Sequence, residues 1–260
     1  MSMRKRILIG LGISVVVIGI YLWFFGFQTA VALMVRYQYR NLPDVAKTPV
    51  ALSDLSISSV AHKKVSYGGY EFELPWDDID EQKYKTGTHV HISYFHSGNI
   101  FWFSSSSPKE LVTGLMGSTK LDPQAVRQIY GDEALQSDYN FKSKVFLITP
   151  SEITPFTSRK KAAVGCSLLV LKAITMPKAD TGIFSIRTFD FQGFQFGSPQ
   201  SRPFAITEEL YSKDGGINLL IFQNVVGSTP SISQPEINRI IQSIHKVPAP
   251  VVPPHANALK

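Results

Sequence analysis

Residues 60–76 read VAHKKVSYGGYEFELPW. Tyr70, Phe72 and Leu74 alternate with Glu71 and Glu73, the period of two that gives a strand one greasy and one wet face. Gly68-Gly69 lies between two such runs, where a tight hairpin needs residues that tolerate positive φ. A second hairpin follows directly: THVHISYF over 88–95, the turn His96-Ser97-Gly98-Asn99, then IFWFSS over 100–105. The two hairpins are read as the first half of one sheet.

Outward along the chain the signals become helical. Ser107-Pro108-Lys109-Glu110 has the form of a capping box with proline at the first helical position, predicting a helix over 108–117. Asp122-Pro123 starts a short helix that Gly131 ends. Residues 133–148 mix a helical half with the strand-like KVFLI; helix is favoured because Pro150 and the polar cluster after it would cap the next turn. Residues 158–173 are apolar nearly all round after Lys161, as in a helix buried on most faces. Strands then return: IFSIRTFDF over 183–191, FQFGSP from 194, and AITEELYS joined to GINLLIFQN across Lys213-Asp214-Gly215. A closing helix starts at Ser233, with Glu236 at the capping-box position and Ile237, Ile240, Ile241 and Ile244 on one stripe.

This order gives class α+β: an antiparallel sheet covered by helices, preceded by one N-terminal transmembrane helix. YGGYEFELPW at 67–76 and INLLIFQN at 217–224, followed by SQPEINRIIQSIH at 233–245, resemble the PsbP-like α/β/α sandwich. That fold is used by extrinsic photosystem proteins and a nuclear-transport cofactor. The resemblance rests on element order over 60–246, and the helical block here is longer than in that fold. It implies a domain that binds partners rather than one that catalyses.

In the other direction lies ILIGLGISVVVIGIYLWFFGF, residues 7–27, without one charged side chain. As a helix it would measure roughly 31 Å, the thickness of a bilayer's hydrocarbon core. Arg4, Lys5 and Arg6 precede it, and Tyr21, Trp23, Phe24, Phe25 and Phe27 gather at its far end, where rings favour the headgroup layer. A short cytoplasmic tail (1–6), a signal-anchor span (7–27), a juxtamembrane helix and linker (28–59), one globular domain (60–246) and a proline-rich disordered tail (247–260) are expected. Membrane lipid is then a partner through residues 7–27. The domain is placed outside the cytoplasm, since long domains cross largely regardless of charge. The rival is a cleaved signal, because Ala30-Val31-Ala32 has the small-x-small form and would leave Leu33 first, although the apolar run exceeds the usual 7–15 residues of a signal. Gly12, Gly19 and Gly26 recur every seven residues and would let a second copy approach closely.

Charge separates anchor from domain. Six of the 26 basic residues fall in the first 47 positions with one acid, so 20 basic and 19 acidic residues remain, a net charge of +1. A nucleic-acid binder carries its excess charge on the contacting domain, so that class is set aside. A single cysteine, Cys166, excludes an intrachain disulfide.

Sites are sparse. His89 and His91, two apart on a strand, would point to one face and are the candidates for a zinc or similar ion, with Glu71, Glu73 or Asp77 as further ligands. His96 falls on the opposite face. Residues 71–81 hold six carboxylates, yet Lys83 stands where a calcium loop requires glycine and His89 where it requires glutamate, so a solvated acidic loop partly neutralised by Lys83 and Lys85 is expected. Cys166 sits among apolar residues, where a thiol is inert. No G-x-S-x-G, P-loop or G-x-G-x-x-G occurs. No cofactor is expected. Two function classes stay open: a membrane-tethered, non-catalytic binding module with Trp76, Phe101, Trp102 and Phe103 as contact candidates, half of them core, and a metal-assisted hydrolase using His89 and His91.

Overall fold

The computed structural model describes residues 3–247, apart from 61, 84, 88, 120, 177–181, 201–204, 224, 227–228 and 231. The expected tail, Val247 excepted, lies outside the described residues. The chain divides into two compact units, residues 1–48 with 110–178 and residues 49–109 with 179–260.

The first unit is helical. Helix α1 (Met3–Tyr39) is continuous over 37 residues. Its segment Val16–Tyr39 is long and apolar enough to cross a membrane, a test that a signal sequence near an N-terminus also passes. The helical continuation expected beyond residue 27 is present, and its far end is packed against protein: Ala32, Val35 and Tyr39 are buried. After α2 (Pro43–Ala46) come α3 (Glu110–Thr119), α4 (Pro123–Tyr130), α5 (Asp138–Leu147) and α6 (Arg159–Thr175), with 3₁₀ turns at Asp132–Leu135 and Pro150–Glu152. Asp122 caps α4 as the sequence predicts, accepting from the N–H of Gln124, and Ser158 caps α6, accepting from the N–H of Lys161. Helix α3 starts two residues later than expected. Lys109 takes φ 60° just before it, and the N–H of Val112 is held at 2.9 Å by the buried carboxylate of Asp138, a distant cap that no local pattern reveals. Phe141, Val145, Phe146, Leu168 and Leu169 form the apolar interior. Within it Lys172 is fully buried, and its ammonium donates to the carbonyls of Lys47 (2.6 Å), Phe146 (2.7 Å) and Ile148 (2.7 Å).

The second unit is built on sheets. In chain order its strands are β1 (Val50–Ala51), β2 (Lys63–Tyr67), β3 (Tyr70–Leu74), β4 (Lys85–Thr86), β5 (Val90–Tyr94), β6 (Ile100–Ser106), β7 (Ile183–Arg187), β8 (Gln192–Phe196), β9 (Ala205–Ser212), β10 (Gly215–Phe222), β11 (Val225–Val226), β12 (Thr229–Pro230) and β13 (His245–Lys246); α7 (Gln234–Ser243) precedes the last. Eight strands make one sheet, ordered β1-β7-β8-β9-β10-β6-β5-β4 and antiparallel except for β1 beside β7. A three-stranded sheet, β13-β3-β2, is separate. The two opening hairpins therefore enter different sheets, correcting the expectation that they share one. The turn between β2 and β3 follows the sequence signal: Gly68 and Gly69 have φ 58° and 81°.

One core joins these elements. Phe72 of β3 meets Phe101 and Phe103 of β6 at ring distances of 5.5 and 5.6 Å, and the Ile237, Ile240, Ile241, Ile244 stripe of α7 is buried with Ile206, Leu210, Ile217 and Leu219. Within the segment 28–59 expected as juxtamembrane helix and linker, residues 50–51 form β1 and residues 54–58 are fastened to α7. Asn238 Nδ2 donates to the carbonyls of Asp54 (2.8 Å) and Ser56 (2.7 Å), and the N–H of Ser58 donates to Pro235 O (3.0 Å). Such bonds satisfy backbone groups that lack a strand partner.

Candidate functional site

His91 lies on the covered face of β5, 3% exposed, and the ring of Tyr67 stacks on it at 3.4 Å. Its Nε2 is 3.0 Å from Ser93 Oγ and its Nδ1 3.4 Å from Thr86 Oγ1, so small hydroxyls occupy both nitrogens. Burial pushes the imidazole down to about 4, keeping it neutral. An ion on His91 would have to displace the Tyr67 ring and Ser93. His89 precedes the strand and is exposed. Glu71 and Glu73, the expected further ligands, are engaged elsewhere, by His245 Nε2 at 3.2 Å and Arg239 Nε at 2.7 Å. Among the described residues no three His, Cys, Asp or Glu side chains gather as a metal site needs.

In the acidic loop, expected to be solvated, Asp80 is buried. Lys83 pairs with Asp80 at 3.0 Å, and that bond holds the Asp80 carboxyl below its usual range. Cys166 is half-buried in α6, where desolvation pushes its thiol up. Of the aromatic candidates, Phe101 and Phe103 are core and Trp76 is buried against Phe95, with ring centroids 5.1 Å apart. Trp102 stands on the opposite face, 39% exposed, in register with Ile92 and Leu220.

A cleft of about 540 Å³ opens at one end of the second unit, lined by turns distant in sequence. Tyr70, where β3 leaves the Gly68-Gly69 turn, supplies a buried wall, and its hydroxyl is pushed up by burial and by the charge of Asp214. The turn between β7 and β8 closes through Thr188 N–H to Phe191 O (2.8 Å) and Phe191 N–H to Thr188 Oγ1 (3.1 Å). That closure turns Phe191 into the core and projects Phe189 fully into solvent at the cleft. Lys213 and Asp214 enter from the β9–β10 turn, and His245 and Lys246 from β13. The result is an aromatic wall ringed by both signs of charge. Ser212, whose hydroxyl also lines the cleft, accepts the N–H of Asp214 and donates to Gly215 O, so it holds its own turn. The geometry is one for holding an apolar group flanked by polar or charged ones.

No local pattern in the sequence marks this cleft. IFSIRTFDF alternates so regularly that Phe189 reads as a strand residue, whereas β7 ends at Arg187 and the side chain of Thr188 makes the turn. Comparison with family models, curated proteins and solved structures gave no match for the chain.

Proposed function

We propose that the chain is a single-pass, membrane-anchored protein whose folded part lies outside the cytoplasm and acts as a non-catalytic binding module. The observation that carries the binding role is Phe189: a large apolar side chain wholly in water, beside a cleft walled by Tyr70 and Phe191. Single exposed apolar groups are ordinary, but one poised beside an aromatic cleft favours a partner that covers it. The chemistry fits a peptide or protein loop that offers an apolar side chain between groups of opposite charge. The anchor reading is supported by the exposed apolar surface of α1, from Val16 through Trp23 to Phe27. A homodimer through Gly12, Gly19 and Gly26 belongs to the same reading; an added Cβ at Gly19 would meet nothing within 4 Å. Against the metal-assisted hydrolase stands the covering of His91, whose ring lies under Tyr67 and whose nitrogens face the hydroxyls of Ser93 and Thr86.

The test uses the full chain in its native membrane with a photoreactive benzoylphenylalanine in place of Phe189. Irradiation should give one discrete adduct that is lost when Lys213 and Lys246 are changed to Glu. The same probe at Phe222, remote from the cleft, should give none. Equal labelling from both positions, or none from 189, would end the proposal. Stoichiometric zinc in the purified protein would favour the hydrolase instead.

A further inference from the structure

We propose that the loop entering α6 is a second membrane contact, in which Phe156 dips beside α1 into the boundary between acyl chains and headgroups and Arg159 binds the phosphate of an anionic lipid. The inference rests on reading α1 as the anchor and adds the lipid class and the residues that meet it.

The geometry comes from two ring contacts. Phe156 is 73% exposed, and its ring lies edge-on to Phe25 at 5.5 Å. Phe25 belongs to the uncharged run of α1, with Trp23, Phe24 and Phe27 around it at 83%, 62% and 59% exposure. Whatever the tilt of α1, Phe156 shares the depth of Phe25, because a ring touching from the side cannot be a headgroup's thickness away. Aromatic rings at the end of a span favour that layer.

The cation follows at the right level. The guanidinium of Arg159 lies over the ring of Phe27 at 5.3 Å. Phe27 is two residues beyond Phe25, about 3 Å farther along the axis and away from the hydrocarbon centre. The cation's ring partner thus lies nearer the end of the apolar run than that of Phe156, the order in which an interfacial segment presents its apolar and charged groups to a bilayer. Lys160 and Lys161 follow, both exposed, with Lys160 bonded to Gln128. Basic residues at this height attract anionic headgroups. A protein partner is disfavoured because lipid already surrounds the neighbouring rings of α1.

The experiment reconstitutes the full chain, with Cys166→Ser, into vesicles of phosphatidylcholine and phosphatidylglycerol, carrying one nitroxide at Phe156→Cys, Leu22→Cys or Phe189→Cys. Collision with oxygen and with a water-soluble nickel complex then reports depth. Position 156 should resemble position 22, with high oxygen and low nickel access, while 189 shows the reverse. In vesicles without phosphatidylglycerol, or with Arg159→Glu, nickel access at 156 should rise while position 22 stays unchanged. Nickel access at 156 equal to that at 189, with 22 still protected, overturns this proposal and spares the anchor. Nickel access at 22 overturns both. Indifference of position 156 to both the lipid change and Arg159→Glu overturns the headgroup assignment.

Discussion

Glu208 and His91 stand in one row across the eight-stranded sheet, separated by Leu219 and Phe103. Both are buried as neutral groups. Glu208 is wholly inaccessible, neither carboxyl oxygen has a partner among the described residues, and desolvation raises its pKa well above 4.5. His91 is moved the other way, from 6.5 to about 4. For His91 the unfolded chain binds the proton more tightly, so stability falls as pH drops from 6.5 towards 4, by at most about 1.4 kcal/mol per pH unit. For Glu208 the folded chain binds it more tightly, so stability is full below 4.5 and declines as pH rises towards the raised value. The two slopes oppose each other between 4.5 and 6.5, and above that window the Glu208 decline stands alone. Glu208→Gln, which keeps the shape and removes the charge, should raise Tm at pH 8, by about 2–4 °C for each kcal/mol recovered in a chain this size, and change little at pH 4.5. His91→Gln should flatten the acid side alone. Thermal unfolding of the full chain in detergent across pH 4–9 checks both; a Glu208→Gln variant melting with wild type at pH 8 would mean that the carboxylate finds a partner.

At the scale of elements, Lys172 fastens α6 to the end of α5 and to the segment after α2. Its Nζ meets three carbonyls, one for each ammonium proton, two of them from residues that α5 leaves without helical donors. Burial pushes the ammonium down to about 8, still protonated at neutral pH. Lys172→Met fills similar space and strands the three acceptors, which should cost about 2–4 kcal/mol. Limited proteolysis is the sharper readout: residues 40–48 should become cleavable in the variant while the turns around β9 and β10 keep wild-type resistance. Unchanged cleavage there would show that packing of α1 and α2 holds this segment without the lysine. Elements of this kind divide what can be read locally from what cannot. Gly68-Gly69, Asp122-Pro123 and the Ser233–Glu236 box with its isoleucine stripe each carry their geometry within a few residues, and each is found where the pattern puts it. Lys172 reads as a polar interruption near a helix end, and Asp138 as one more acid, because their partners are 24 to 125 residues away. The separation of the two hairpins into different sheets is equally non-local, decided by Phe72 packing onto Phe101 and Phe103. The cleft was illegible for the same reason: its residues come from turns that only the assembled sheets bring together.

For the whole molecule, the balance is between an anchor that stays and a signal that leaves. The small-x-small sequence Ala30-Val31-Ala32 lies inside the unbroken α1, and Ala32, at 3% exposure, is packed with Val35 and Tyr39 into the first unit. A peptidase that needs an extended substrate would have to unwind this helix and extract a packed face, which supports retention. The full chain should therefore resist alkaline extraction from membranes and keep its own N-terminus. A reporter that works only outside the cytoplasm should be active when fused after residue 246. Leu22→Arg places a charge among exposed apolar side chains of α1 at about 2.5–3.5 kcal/mol, enough to move a large share of the chain out of the alkali-resistant fraction. An aqueous chain beginning at Leu33, or one that shrugs off Leu22→Arg, would make the helix a leader and remove the anchor, and with it the lipid contact at Phe156. The cleft at Phe189 would survive that outcome, because every residue lining it belongs to the second unit.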